Sequence, residues 1–314
     1  MSSLFTLLLW AWLMASSFVV SGNMSAYASP LATSGFRFLL ALAVITIALL
    51  FRWHNAKLNM AEQCRQLFQS WRRVCQYLLI SGALVGFFVG LFRALQSTTP
   101  LHTSVLYTLI PLMGVLIARV WLKERTSGVR ILGFLLGTIG ALSVLLATQQ
   151  ALSFQWNSGD SIFLGACFLL ALHVVSVQKW GRSLNALSGA FMIMLFGSIW
   201  LLPVTLIWGD LAGVKWSHSG FWVNVLYLTF FTTLLTFILQ QRLVVQVGAS
   251  RLLAISYTIP VWVACYTALS QSHLGSLLDA GFLMGVLLLL LALVLIDERI
   301  KQRSSLHGQG TSAK

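Results

Sequence analysis

The sequence predicts an all-α membrane protein of ten transmembrane helices, built as two inverted five-helix repeats. Three observations lead there. The 314 residues are 58% hydrophobic and 9% charged, with a mean hydropathy of +0.86, whereas a soluble domain of this length needs far more charge to cover its surface. The apolar residues gather in runs of helix-spanning length, roughly 17–25 residues each. Finally, a segment recurs about half a chain length later. Arg93 through Tyr107-Thr108-Leu109-Ile110-Pro111 returns, weakened, as Arg242 through Tyr257-Thr258-Ile259-Pro260, with Arg93 and Arg242, and Pro111 and Pro260, each 149 positions apart.

The runs lie at 4–21, 31–51, 77–95, 101–118, 129–147, 160–178, 188–208, 221–240, 251–270 and 278–296. The first has no basic n-region before it, so it reads as a retained helix, although Ala15-Ser16-Ser17 resembles a cleavage site. Pro30 and Pro100 stand where the second and fourth runs begin, a position that tolerates a residue with no backbone N–H. Between runs two and three, Met60, Cys64, Leu67, Phe68 and Trp71 recur at helical spacing opposite Glu62, Arg65 and Arg72. This segment is either a short amphipathic helix on the membrane surface or a solvated linker. Gly82, Gly86 and Gly90, Gly133 with Gly137, and Gly281 with Gly285 are small-residue series. They mark close helix contact, within the bundle or between protomers of a homo-oligomer.

Lys and Arg test the count. With the N-terminus inside, the first inside loop holds Arg52, Lys57, Arg65, Arg72 and Arg73. Arg119, Lys123, Arg125 and Arg130 flank the second, Lys179 and Arg182 the third, and Arg242 and Arg251 the fourth, while Arg299, Lys301, Arg303 and Lys314 sit in the tail. Lys215 alone falls outside, and Arg37 and Arg93 lie within runs. Such asymmetry predicts an inner (cytoplasmic) membrane location with both termini cytoplasmic. An odd number of spans per copy inverts the second copy against the first. The expected organisation is repeat one at 1–148, a linker at 149–157, repeat two at 158–297 and a tail at 298–314. The net charge of +13 belongs to these connectors and does not indicate nucleic-acid binding. Cys64, Cys75, Cys167 and Cys265 are scattered and form no metal or disulfide framework.

Several residues match a known pattern: Ser29-Pro30-Leu31 with Gly35-Phe36-Arg37-Phe38, Ala94-Leu95, Leu106 to Pro111-Leu112, Lys123-Glu124-Arg125 and Gly133. In this order they resemble the EamA-type domain of the drug/metabolite transporter superfamily, over nearly the whole chain as two copies. The second copy departs from the pattern, with Ser272 or His273 where Glu124 would recur. The resemblance implies ten helices and membrane transport of small metabolites, often export, without fixing a substrate.

Charge inside hydrocarbon costs several kcal/mol unless paired or hydrated, so Arg37 and Arg93 are the first candidates for a substrate site. Both can face a cavity and attract an anionic group, and both have a bland alternative: Arg93 snorkelling to headgroups, Arg37 a structural role. His173, in mid-span, either carries a coupling proton or is hydrogen-bonded to a neighbour. Trp10, Trp12, Ser16 and Ser17 put aromatic faces and hydroxyls on the first run, as substrate contacts or interface anchors. Tyr107 and Tyr257 are candidate cavity residues, and the mid-run Pro111 and Pro260 candidate hinges, or else simple packing kinks. Thr229, Thr232, Thr233 and Thr236 line the path or bond back to their own helix.

No nucleotide-binding loop, paired carboxylates, metal cluster or nucleophile elbow occurs, so no catalytic residue, metal or cofactor is expected. The leading expectation is a non-enzymatic secondary transporter of a small metabolite, an amino acid-like or other small organic solute, exported by alternating access, with lipids as surroundings. The alternatives are an intramembrane transferase for lipid-linked substrates, for which only the isolated His102, His218 and His273 are on offer, and a membrane sensor or scaffold.

Overall fold

A computed structural model describes residues 3–98, 100–147, 156–270 and 277–297. The first half contains α1 (Ser3–Met24), α2 (Pro30–Asn55), α3 (Met60–Phe68), α4 (Trp71–Ala94), α5 (Pro100–Tyr107), α6 (Ile110–Trp121) and α7 (Gly128–Ala147). The second contains α8 (Ser158–Trp180), α9 (Ala186–Trp208), α10 (Ser219–Thr229), α11 (Thr236–Val247), α12 (Ala249–Ile255), α13 (Ile259–Ser270) and α14 (Ala280–Ile296). Among the described residues there is no strand, and nine helical stretches are long and apolar enough to cross a membrane. The tenth, α14, has 17 residues, about 25 Å at the helical rise. The protein is an all-α membrane protein.

Helices run past the apolar runs that announced them. α2 continues to Asn55 with Arg52 and His54 in its last turn, and α4 starts at Trp71, ahead of the expected 77. Composition changes where hydrocarbon meets water, but backbone hydrogen bonding continues until a cap stops it. Ser29 caps α2 through the N–H of Ala32, Asp279 caps α14 through Gly281 and Phe282, and Asn157 with Asp160 closes a capping box on α8. The segment between α2 and α4 forms a helix, α3, capped by Asn59. Leu67 is buried there, while Met60, Cys64 and Phe68 stay exposed.

The two halves interlock, and most of their contacts come in pairs related by exchanging one half for the other. α7 lies along α14 and α2 along α9, each a helix against its own repeat mate. α4 packs on α8 while α1 packs on α10 and α11; α4 on α9 is mirrored by α2 on α10; α6 on α8 is mirrored by α1 on α13. The glycine series make these contacts possible. A Cβ on Gly140 would lie 2.9 Å from the Gly285 carbonyl, one on Gly90 2.8 Å from Ala166 Cβ, and one on Gly137 2.6 Å from the Tyr257 ring. These faces are therefore filled by helices of the same chain.

The most extensive contact without a mate is that of α6 on α12; among the described residues their mates α13 and α5 have no comparable contact. Gly114 of α6 lies directly against the Leu253 side chain of α12. The ends of α6 and α12 at this contact adjoin the Lys- and Arg-rich connectors, the basic end of the bundle. Toward the opposite end, α5 and α13 face each other across a chamber.

Candidate functional site

The fourth and ninth runs are each broken in mid-course, at Tyr107-Thr108-Leu109 and at Ser256-Tyr257-Thr258. Pro111 and Pro260 follow these breaks, where a missing N–H leaves a carbonyl one turn back without its helical donor. At the first break the chain tightens, with Thr108 N on Val105 O at 3.1 Å and Leu109 N on Leu106 O at 3.0 Å. A polar chain ties the breaks together: Thr138 Oγ1 meets Thr108 O at 3.4 Å and the Tyr257 hydroxyl at 2.9 Å, and Tyr257 donates to Phe134 O at 2.9 Å.

Two adjoining chambers open between these elements. The first, about 320 Å3, is lined by Tyr107, Thr108 and Pro111 of one break, Tyr257, Ile259 and Pro260 of the other, and by Phe18, Phe87, Leu91 and Phe163. The second, about 210 Å3, is lined by Ser17, Ser21, Ser34, Arg37, Leu84, Phe88, His173, Thr232, Thr236 and Gln240. Phe18, Phe87, Leu91 and Tyr107 line both. The Tyr107 ring stands edge-on to Phe18 at 5.6 Å and to Phe87 at 6.3 Å, so an aromatic partition separates the two spaces.

Among the described residues, Arg37 is the one charged side chain on either lining. Its Nη2 donates to Thr232 Oγ1 at 3.1 Å and Thr233 Oγ1 at 2.9 Å, and its Nε to Thr233 at 3.2 Å. Thr232 and Thr233 both spend their own hydroxyl hydrogen on Leu228 O, each at 2.9 Å, which leaves oxygen lone pairs for the guanidinium. Adjacent residues on a regular α-helix cannot both turn to one partner. Here Phe230–Leu235 is a π-helical stretch, and its extra residue per turn brings both threonines round to α2. Among the described residues the Nη1 group of Arg37 has no protein partner, and the side chain faces the second chamber.

His173 is fully buried between α4 and α11, with Nδ1 2.8 Å from Ile80 O and Nε2 3.2 Å from the Gln240 amide nitrogen. A carbonyl only accepts, so the proton sits on Nδ1 and Nε2 accepts from Gln240.

The structure thus brings together Arg37, Tyr107, His173, Tyr257, Pro111 and Pro260 on the chamber walls. It does not bring Trp10, Ser16 or Arg93 there. Trp10 is buried in the core, and Ser16 accepts from the Tyr227 hydroxyl at 2.9 Å. The neighbouring Ser17, about 100° further round the helix, faces the chamber instead. Arg93 is exposed at the end of α4 and bonds Gln96. The side chain sits at the end of its helix, where the snorkelling alternative would put it. Tyr257 differs from its mate Tyr107, because its hydroxyl is committed to α7. Sequence reasoning did not single out Phe18, Phe87 or Gln240. Nothing distinguishes a lining phenylalanine from a packing one in a row of apolar residues, although a glutamine inside an apolar run is a readable signal.

The carboxylates stand elsewhere. Asp160 and Asp279 cap helices, Asp210 caps the turn at Gly213, and Asp297 lies 3.5 Å from Arg251. Glu124 accepts from Gln178 Nε2 at 2.5 Å and Ser250 Oγ at 3.3 Å, while Gln178 Oε1 accepts from Ala249 N at 2.5 Å. This cluster joins the ends of α6, α8 and α12 at the basic end. The chain turns there at Gly248, whose φ of +88° suits glycine alone. Beside it, Lys179 lies over the Trp121 ring at 4.3 Å, and Trp121 meets Trp180 edge-on at 5.1 Å. Ser272, His273 and the expected tail at 298–314 lie outside the described residues, as does most of the expected linker at 149–157.

Two interlocked halves around chambers inside an apolar bundle define a polytopic membrane transporter. The chain belongs to the EamA-like transporter family, which matches residues 1–146 and 157–297. It is 26% identical over 239 residues to the uncharacterized transporter YyaM of Bacillus subtilis (strain 168), covering 75% of each chain. It is 24% identical over 222 residues to the uncharacterized transporter YetK of the same organism, covering 69% of this chain and 64% of the relative. A solved crystal structure superposes with a TM-score of 0.76 over 94% of this chain and 96% of the other, at 16% identity, a likeness of fold alone.

Proposed function

We propose that the protein is a secondary transporter of a small organic solute that carries an anionic group and an apolar or aromatic body, in the manner of an amino acid or organic acid. The observation that carries this reading is Arg37, held on two threonines on the wall of a chamber whose lining, among the described residues, contains no carboxylate. A guanidinium fixed in this way keeps a planar donor edge for a carboxylate or phosphate. The aromatic partition of Phe18, Phe87 and Tyr107 supplies the surface for the body.

The protein works by alternating access. The closed contact of α6 with α12 against the separation of α5 from α13 supports this, since exchange of the two arrangements moves the opening to the other end. The basic end is cytoplasmic, in the cell membrane, on the distribution of Lys and Arg. The open end then faces outward. Export is the direction suggested by the family resemblance.

Flux in proteoliposomes of a panel of amino acids, organic acids and neutral or cationic solutes tests the reading. Anionic solutes are expected to move and the Arg37→Gln variant to lose that flux while folding normally. Equal flux in wild type and variant would remove Arg37 from the site.

A further inference from the structure

The polar wall of the second chamber runs along one face of the π-helical stretch and α11. Thr232, which receives Arg37, Thr236 and Gln240, which contacts His173, follow one another at intervals of four residues. The first and last rungs are separated by about 12 Å of helix rise. Arg37 and His173 therefore stand toward the two ends of one chamber, and a ligand bound in it lies between them.

The imidazole is arranged so that its charge can change without breaking a hydrogen bond. Nδ1–H donates to Ile80 O in either state. With Nε2 bare, the Gln240 amide nitrogen donates to it. With Nε2 protonated, the Gln240 amide turns over and its oxygen accepts, so protonation costs one side-chain flip. The titratable or charged groups sharing the chamber are Arg37 on α2 and Tyr107 on α5. On the other elements packed around α8, Tyr77 of α4 is turned to Gly189 of α9, and Arg251 of α12 pairs with Asp297. Arg119 of α6 and Arg242 of α11 are exposed. Cys167, on α8 itself, has its Sγ on Leu106 O. No carboxylate faces the imidazole among the described residues, so an empty chamber holds positive charge alone.

We infer that an organic anion on Arg37 and a proton on His173 Nε2 bind cooperatively, so that the solute and one proton are carried together. The inference rests on the anion reading of the chamber. The proton leaves a hydronium ion of bulk water, whose O–H bond breaks as the N–H bond forms at Nε2 and a water molecule is released; no other covalent bond changes. Opposite unit charges some 12 Å apart at an effective dielectric of about 20 strengthen each other's binding about tenfold. By reciprocity, either ligand raises affinity for the other by the same factor. Cotransport is reversible. It runs outward when the solute gradient exceeds the proton gradient and inward otherwise.

Benzoate is a suitable probe, because its carboxylate is ionised throughout pH 5.5–8. Its affinity for the detergent-solubilised full chain is measured across that range, and its proton uptake by calorimetry in two buffers of different ionisation enthalpy. Affinity is expected to strengthen progressively as pH falls toward 5.5, by an amount bounded by the tenfold coupling, with at most about half a proton taken up per benzoate. His173→Gln keeps a donor for Ile80 O and should bind benzoate with no pH dependence. Should that variant fail to fold, Gln240→Glu serves instead: a carboxylate against Nε2 holds the imidazolium before ligand arrives and flattens the profile. A flat profile in wild type, with Arg37→Gln losing benzoate, overturns the proton linkage and leaves the anion site standing. A pH dependence of wild-type size surviving in His173→Gln overturns the assignment to His173. Absence of benzoate binding in every form overturns the anion reading and the linkage with it.

Discussion

At the scale of single residues, Arg37 shows what a sequence can and cannot announce. A lone arginine in an apolar run is conspicuous, and the threonine cluster on the eighth run is conspicuous too. Their pairing is not, because the partners are 195 and 196 positions apart and meet only through the π-helical turn at Phe230–Leu235. The energetics of the pair are testable. Replacing Thr232 and Thr233 by valine keeps shape but removes the acceptors of three charge-assisted hydrogen bonds. A buried donor left unmade costs about 1–3 kcal/mol, so the double Thr232→Val, Thr233→Val variant should unfold at lower temperature and lose anion flux. A melting temperature and flux equal to wild type would mean that these bonds contribute nothing. Trp10, Ser16 and Arg93 carry the complementary lesson. Residue type and depth are readable from sequence, but the direction of a side chain around its helix depends on which neighbours pack there.

At the scale of elements, the apolar runs located every membrane-spanning helix, yet they did not show where helices end or how some of them break. Three runs proved to be compound: α5 with α6 and α12 with α13, joined at the tyrosine and proline positions that the repeat had marked, and α10 with α11, joined through the π-helical stretch. The amphipathic α3 was legible as one of two alternatives, because its spacing fits a helix while its composition fits a linker. The glycine series were legible as close contacts, but their partners were not, since small residues permit approach without naming the helix that approaches. Their packing gives a sharp contrast between two substitutions. Gly140→Leu would force a side chain against the Gly285 carbonyl and Leu288 Cβ, 2.9 and 3.0 Å from the new Cβ, whereas a Cβ added at the exposed Gly165 meets nothing within 4 Å. Overpacking of this kind costs about 1–3 kcal/mol. Thermal unfolding in detergent should fall for Gly140→Leu and stay unchanged for Gly165→Leu; equal behaviour of the two would count against the tight α7–α14 seam.

At the scale of the whole molecule, the sequence repeat and the odd number of spans per copy made the pseudo-twofold legible, but not which end is open. A symmetric bundle supports both arrangements, and the choice falls to contacts that differ between the halves. Glu124 makes that difference at the basic end. It bonds Gln178 and Ser250 and so fastens the α6 terminus to α8 and α12. Hydrogen bonds to a charged group contribute about 1.5–3 kcal/mol each, so losing even one shifts a two-state equilibrium by about tenfold or more. Glu124→Ala should therefore release the basic end and favour closure of the opposite one. The readout is a cysteine placed at Ser21, which lines the second chamber near the open end, in a chain whose Cys64, Cys75, Cys167 and Cys265 are replaced by alanine. A membrane-impermeant maleimide added from the open side should label Ser21→Cys readily in the parent and several-fold more slowly with Glu124→Ala, while the folded fraction stays the same. Unchanged labelling would show that the Glu124 cluster is a structural tie with no hold on access, and would move the gate to the direct contact of Gly114 with Leu253.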